Sequence, residues 1–148
     1  MIPILNQATI LFHSKSANEA FARSAAAVFA AQLDPTLEEL GDVKTAVSEA
    51  VTNAIVHAYP EELGVITLRL RILEGRIFEV MVKDKGVGIP DVEQARQPLY
   101  TTGDDSRSGM GFTIMESFMD SLRVRSIPGK GSTVTMRKRF SPRATGGK

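Results

Sequence analysis

Ser48-Glu49-Ala50-Val51-Thr52-Asn53-Ala54-Ile55-Val56-His57 is the stretch on which the fold turns. Residues four apart share one stripe of a helix, so Glu49, Asn53 and His57 project the same way. Val43, Val47, Ala50, Val51, Ala54 and Ala58 run beside them with helical period, which predicts a long helix with an apolar seam. A carboxylate and a carboxamide one turn apart against such a seam are costly if buried without partners. They either form a solvated polar stripe or a site. In a site, Asn53 offers its carbonyl oxygen to a hard cation while Glu49 orients water or accepts a proton. His57 is read as a helix residue near the pocket, without a catalytic role.

Upstream, Thr36-x-x-Glu39 is a capping box that opens this helix, and Tyr59-Pro60 closes it. Ser16-x-x-Glu19 is an earlier box, opening a helix from Ala17 to Leu33 whose apolar stripe is Phe21, Ala25, Val28, Phe29 and Leu33. Glu19 and Arg23 form an exposed pair on another face. Ile4 to Phe12 reads as a first strand. Downstream, Val65 to Leu73 alternates, with Ile66, Leu68, Leu70 and Ile72 on one side and Thr67, Arg69 and Arg71 on the other. Glu74-Gly75 turns the chain, and Ile77 to Asp84 returns as a hairpin strand. Phe78, Val80 and Val82 share a face there, and strict alternation places Asp84 on it, immediately before Gly86-Val87-Gly88-Ile89-Pro90. An acid aimed at the core side must accept hydrogen bonds or serve a ligand.

Asp91 to Arg96 suits a helical turn, and Pro98 to Ser108, containing Thr101-Thr102-Gly103-Asp104-Asp105-Ser106-Arg107, reads as a polar lid loop. Gly109-Met110-Gly111 leads into a helix over Phe112 to Met119, whose start offers free N–H groups to a phosphate. Leu122 to Arg125 and Ser132 to Phe140 are the last strands, joined by Pro128-Gly129-Lys130-Gly131; Ser132, Val134 and Met136 share a face. Ser141 to Lys148 is a basic tail expected to fray.

Composition bounds the rest. The 148 residues fit one domain, 1–148, and are 43% hydrophobic and 24% charged, as in ordinary globular proteins. A net charge of +1 gives no general attraction to nucleic acid or membrane, and no direct nucleic-acid partner is expected. With no cysteine, disulfides and thiolate metal sites are excluded. No leader-like start and no run of ~18 apolar residues is present, so a cytoplasmic protein without membrane association is expected.

Two familiar nucleotide motifs fail. A G-x-G-x-x-G fingerprint needs a third glycine where Asp91 and Ile114 stand, and a P-loop needs one at Val124 and Ser/Thr where Gly131 follows the lysine. The combination is more specific: Glu49-x-x-x-Asn53, then Asp84-x-Gly86-x-Gly88, a polar loop, Gly109-x-Gly111, and Gly131-Ser132-Thr133. In order and spacing this resembles the Bergerat (GHKL) ATP-binding fold of gyrase, histidine kinases and MutL, over residues 36–140. Ser48 to Ile55, Arg107-Ser108-Gly109-Met110-Gly111-Phe112-Thr113-Ile114-Met115 and Asn18-Glu19-x-Phe21-Ala22-Arg23 are similar to the anti-sigma F family of sporulation serine kinases.

That resemblance implies an α/β (α+β) two-layer sandwich: a mixed, mostly antiparallel sheet with helices on one face. It implies ATP or ADP with Mg²⁺ as cofactors. Asp84 would accept from the adenine amino group, with Ser132 or Thr133 helping through water, and Gly86 and Gly88 would admit the purine. Asn53 would hold Mg²⁺ and Glu49 would orient or deprotonate the attacking serine. Thr101, Thr102, Ser108, Gly109, Met110 and Gly111 would line the nucleotide, and Arg107 would be the cation for the γ-phosphate. Arg23 would contact the partners, a sporulation sigma factor and the antagonist that displaces it, and the protein would be a homodimer. The lid departs from the family pattern: it lacks the lysine and proline expected there, is about one residue shorter, and adds the carboxylates of Asp104 and Asp105. The alternative is a nucleotide-gated sigma-binding module without kinase activity. A histidine-kinase reading is disfavoured, since only His13 and His57 occur and no dimerisation helix precedes the domain.

Overall fold

The computed structural model describes residues 1–59, 63–89, 92, 96 and 111–142. In chain order these form β1 (Ile4–His13), α1 (Ala17–Ala30) with a 3₁₀ turn over Ala31–Leu33, and α2 (Leu37–Asn53) continued by a π-helical segment, Ala54–Ala58. β2 (Val65–Leu73), β3 (Ile77–Asp84), α3 (Gly111–Phe118), β4 (Ser121–Ile127) and β5 (Gly131–Arg139) follow. The strands make one sheet in the order β1-β2-β3-β5-β4, and all four of these ladders are antiparallel, a narrower result than the mixed sheet expected.

Period-two alternation builds the sheet in rows. Leu70, Val80, Met136 and Leu122 lie side by side across β2, β3, β5 and β4, and the next row is Leu68, Val82, Val134 and Val124. These residues join Val43, Ala46, Val47, Ala50 and Val51 of α2 in one apolar cluster, buried except at its margin, where Leu122 and Val124 of β4 are partly exposed. Each fully buried Leu or Val contributes roughly 1.5–3 kcal/mol of transfer free energy. The row beyond is different: Ile66, Asp84, Ser132 and Ser126. The apolar layer thus ends at one edge in three consecutive polar residues. Phe140, stacked on Phe78 at 6.3 Å between centroids, closes the opposite end.

Local signals account for most boundaries. At α2, Thr36 is extended, its hydroxyl accepts from the Glu39 amide at 3.0 Å, and Glu39 accepts from the Thr36 amide at 2.9 Å. Such a cap contributes about 1 kcal/mol. The earlier box fails. Ser16 already has helical φ and ψ and makes no side-chain cap bond, while the Glu19 carboxylate is taken by Arg23 at 3.0 Å.

The expected apolar stripe of α1 is also displaced. Ala22, Ala26 and Ala30 are fully buried, whereas Phe21 is 52% and Val28 74% exposed. Alanines at i, i+4 and i+8 form the fully buried stripe, Phe29 and Leu33 of the expected stripe pack against the core beside it, and Phe21 and Val28 face outward. The tail is ordered at its first residue: the Ser141 amide donates to Glu39 at 2.7 Å, and Arg76 holds the Leu33 and Ser141 carbonyls at 2.8 Å each. Within the expected turn at 91–96, the Arg96 amide bonds the Val92 carbonyl. Among the described residues no helix is long and apolar enough to cross a membrane.

Candidate functional site

The polar row meets the end of α2. Asp84, the last residue of β3, is 7% exposed. Its Oδ1 accepts from the Gly86 amide at 3.0 Å and the Ser132 amide at 3.2 Å. Burial pushes its pKa up; those two hydrogen bonds oppose the rise without cancelling it. Among the described residues both bonds end on Oδ1. Oδ2 of the same carboxylate therefore keeps its acceptor capacity for a donor on a ligand.

The loop after Asp84 is pinned by backbone and hydroxyl groups. The Lys85 amide donates to the Tyr59 hydroxyl at 2.8 Å, and that hydroxyl donates to the Val65 carbonyl at 2.9 Å. Val87 donates to the Ala58 carbonyl at 2.9 Å, Gly129 to the Val87 carbonyl at 2.7 Å, and Ile89 to Ser126 Oγ at 2.6 Å. Ala58 is the last residue of the π-helical segment. Such segments are frequent at functional sites.

The glycines here serve chain-on-chain packing. A Cβ on Gly86 would lie 2.0 Å from the Ala58 oxygen, and one on Gly88, at φ +80°, 2.5 Å from the Ile127 oxygen. The close approach that demands glycine at both positions within the chain is thus backbone against backbone. Gly131, at φ +119°, meets the Asp84 carbonyl in the same manner.

On the other side of α2, α3 begins against the two residues that opened the sequence reading. A Cβ on Gly111 would sit 3.0 Å from Asn53 Nδ2, 3.3 Å from Asn53 Oδ1 and 3.4 Å from Glu49 Oε1. Glu49, Asn53 and the α3 N-terminus are therefore adjacent, and the helix end supplies free N–H groups and a positive dipole. Among the described residues no cluster of three or more His, Cys, Asp or Glu could cage a metal. One amide oxygen beside a carboxylate suits a cation that keeps water and ligand phosphates as its other donors, which is the habit of Mg²⁺.

Glu49 has a second outlook. With Arg23, Gly41, Lys44, Thr45 and Ser48 it lines a groove of about 360 Å³ between α1 and α2. The structure thus brings Glu49 and Asn53 together with Gly111, Asp84 together with Ser132 and Gly86, and Arg23 into Glu49's groove. Thr133 is not part of the group: it pairs with Lys83, so its side chain lies on the sheet face opposite Asp84. Thr101, Thr102, Arg107, Ser108, Gly109 and Met110 lie outside the described residues. Sequence reading missed Ser126, Tyr59 and the Ala58 carbonyl. Ser126 was within reach, since continuing the alternation of Leu122 and Val124 by one step lands on it.

Residues 12–138 match the family model described as histidine kinase-like ATPase domain. The chain is 58% identical over 134 residues to an anti-sigma F factor of Caldanaerobacter subterraneus, covering 90% of this chain and 93% of that one. It is 53% identical over 137 residues to an anti-sigma F factor of Clostridium acetobutylicum, covering 92% and 95%. Among solved structures, the RsbU and RsbW domains of a Mycobacterium tuberculosis protein superpose with a TM-score of 0.70 at 18% identity, covering 94% of this chain and 34% of that one, a likeness of fold.

Proposed function

Since the chain belongs to the histidine kinase-like ATPase family and to its anti-sigma F branch, we propose that it is an ATP-dependent protein serine kinase that also holds a sporulation sigma factor. The observation that carries this reading is the double outlook of Glu49. One side of it abuts Asn53 and the start of α3, and the other lines the groove that contains Arg23. A residue shared by a phosphate seat and a protein-facing groove suits transfer from the first to a hydroxyl presented in the second.

Asp84 Oδ2 accepts from the adenine amino group, and Ser132, directly across the ladder, supplies the neighbouring polar contact. Asn53 gives its carbonyl oxygen to Mg²⁺, which would neutralise charge on the phosphates. The serine oxygen of the antagonist protein attacks the γ-phosphorus, the bond to the β–γ bridging oxygen breaks, and ADP leaves. Glu49 orients that hydroxyl and takes its proton. The α3 N-terminus at Gly111 offers amides to the phosphates, and Gly109 and Met110 are assigned to the same nucleotide by family resemblance. Arg107, Thr101, Thr102 and Ser108 are assigned to the same nucleotide by family resemblance. Arg23 meets both sigma factor and antagonist, and the acting unit is a homodimer in the cytoplasm.

The test is transfer of the γ-phosphate from labelled ATP to a serine of the antagonist, with acid-stable phosphoserine as product. Glu49→Ala should abolish transfer and leave ATP and sigma binding intact. If the wild-type protein binds ATP and sigma factor yet transfers nothing, the nucleotide-gated binding module is the correct reading.

A further inference from the structure

We infer that the sheet face turned away from the helices is a docking surface for duplex DNA, gripped through its phosphate backbone. The net charge of +1, which by itself predicts no nucleic-acid partner, conceals a separation of charge between the two layers. Period-two alternation places Arg69 and Arg71 of β2, Lys83 of β3, Arg137 of β5, and Arg123 and Arg125 of β4 on that outer face. The helix layer carries acids instead, with Glu38, Glu39, Asp42 and Glu49 on α2 alone.

Among the described residues, Glu79 is the one acid at the outward strand positions. It is shared by Arg69, Arg71 and Arg137, so that cluster keeps a surplus of positive charge, and the Arg137 side chain is still 43% exposed. Lys83, Arg123 and Arg125 are exposed and, among the described residues, have neither a hydrogen-bond nor an ion-pair partner. Arg123 and Arg125 stand about 7 Å apart along β4, and Lys83 and Arg125 about 10 Å apart across two ladders. Both spacings are close to one Debye length, ~8 Å in physiological salt, so the potentials of neighbours add. Such an array of like charges opposes the compact state. A polyanion that displaces the counterions turns the same array into binding energy.

The makeup of the face selects duplex DNA among polyanions. Most of its cations are guanidinium groups, whose forks match pairs of phosphate oxygens. Among the described residues no aromatic side chain occupies an outward strand position. A single strand needs such platforms for its unstacked bases, whereas a duplex keeps its bases inside and presents phosphates. Thr133 and Thr135 fill positions between the cations, and Met81 is buried beside them. The array therefore offers neither the apolar core of a protein interface nor a wedge for a bilayer.

Fluorescence anisotropy of the whole chain with a labelled mixed-sequence duplex of about two turns tests the face. Binding should lie at roughly 1–100 μM in physiological salt, as for sequence-independent contacts. With about four phosphates neutralised, affinity should fall ~100-fold between 50 and 200 mM salt. The double substitution Arg123→Gln and Arg125→Gln should weaken binding at least tenfold. It should also lower the slope of log affinity against log salt by about 2, with ADP affinity and Tm undiminished. An unchanged slope in that variant, tighter binding to the single strand than to the duplex, or capture by phosphatidylserine vesicles without binding to the duplex overturns the assignment. ADP binding is a separate readout: its absence would sink the nucleotide reading above and leave this surface standing.

Discussion

Strand β3 carries two buried carboxylates five residues apart, and they are held in opposite ways. Glu79, 4% exposed, lies on the face away from the helices amid three guanidinium groups: Arg137 Nε at 2.8 Å, Arg69 Nη2 at 3.5 Å and Arg71 Nη1 at 3.7 Å. Asp84, 7% exposed, lies on the helix face and is met by two backbone amides, both on one oxygen. Burying a carboxylate is costly in either place. Around Glu79 that cost is offset by three guanidinium groups, one hydrogen-bonded to Oε2 and two in longer charge contacts with Oε1, which is buried without a hydrogen bond among the described residues. Around Asp84 the offset is partial, and the spare oxygen is where an incoming donor gains most. Burial alone does not separate a structural acid from a ligand-binding one; the nature of its partners does.

Removing the acid at each position should therefore fail differently. Glu79→Leu leaves Arg69, Arg71 and Arg137 facing one another without their common counter-charge. Loss of one partner of a fully buried pair costs about 3–5 kcal/mol. The arginines here are 25–43% exposed and reach water, so ~2–4 kcal/mol in urea unfolding is expected. Nucleotide affinity of the folded fraction should be unchanged. A large loss of affinity at unchanged stability would reverse the assignment of the two acids.

Asp84→Asn should do the converse. The Gly86 and Ser132 amides still require an acceptor, so the asparagine carbonyl stays with them and its NH₂ points where Oδ2 was. A donor then faces the adenine amino donor. Loss of a hydrogen bond to a charged group is worth roughly 1.5–3 kcal/mol, so ADP affinity should fall about 100-fold by calorimetry. Stability should hold or rise slightly, because the buried charge is gone. Undiminished ADP uptake would remove Asp84 from the site.

Much of this contrast was legible in the chain. Alternation from Phe78 through Val82 aims Asp84 inward, and the same parity puts Glu79 outward beside Arg71 and Arg137 once the strands are paired. The Thr36 box and the Glu49/Asn53 stripe were equally readable, because each depends on a spacing within one helix. What failed depends on partners distant in sequence. The α1 stripe was right in Phe29 and Leu33, which pack on the core, but it included Phe21 and Val28, which are exposed, and passed over Ala22, Ala26 and Ala30, which are fully buried. The approach of Gly86 and Gly88 to the Ala58 and Ile127 carbonyls, tens of residues away, was not foreseen. Ser126 was lost by ending β4 two residues early. The lid residues carried the family's phosphate contacts, and those lie outside the described residues.

The smallest effect expected is also the one that tests the partners most directly, through pH. Desolvation raises the Asp84 pKa above the ordinary carboxylate value of about 4, more than its two amide bonds lower it. A raised folded-state value means the folded protein binds that proton more tightly than the unfolded chain does. Ionised Asp84 therefore opposes folding above its pKa, and that penalty is relieved as pH falls through it. Nucleotide binding has the opposite sign, since acceptance from the adenine amino group needs the carboxylate. Lowering the pH from neutral into the mildly acidic range should weaken ADP binding several-fold, while the Asp84 contribution to stability improves over the same window. In Asp84→Asn both trends should vanish, leaving the background of the other carboxylates. Wild-type ADP affinity that stays flat with falling pH, or matches the variant's slope, would show that the buried acid does not face the base.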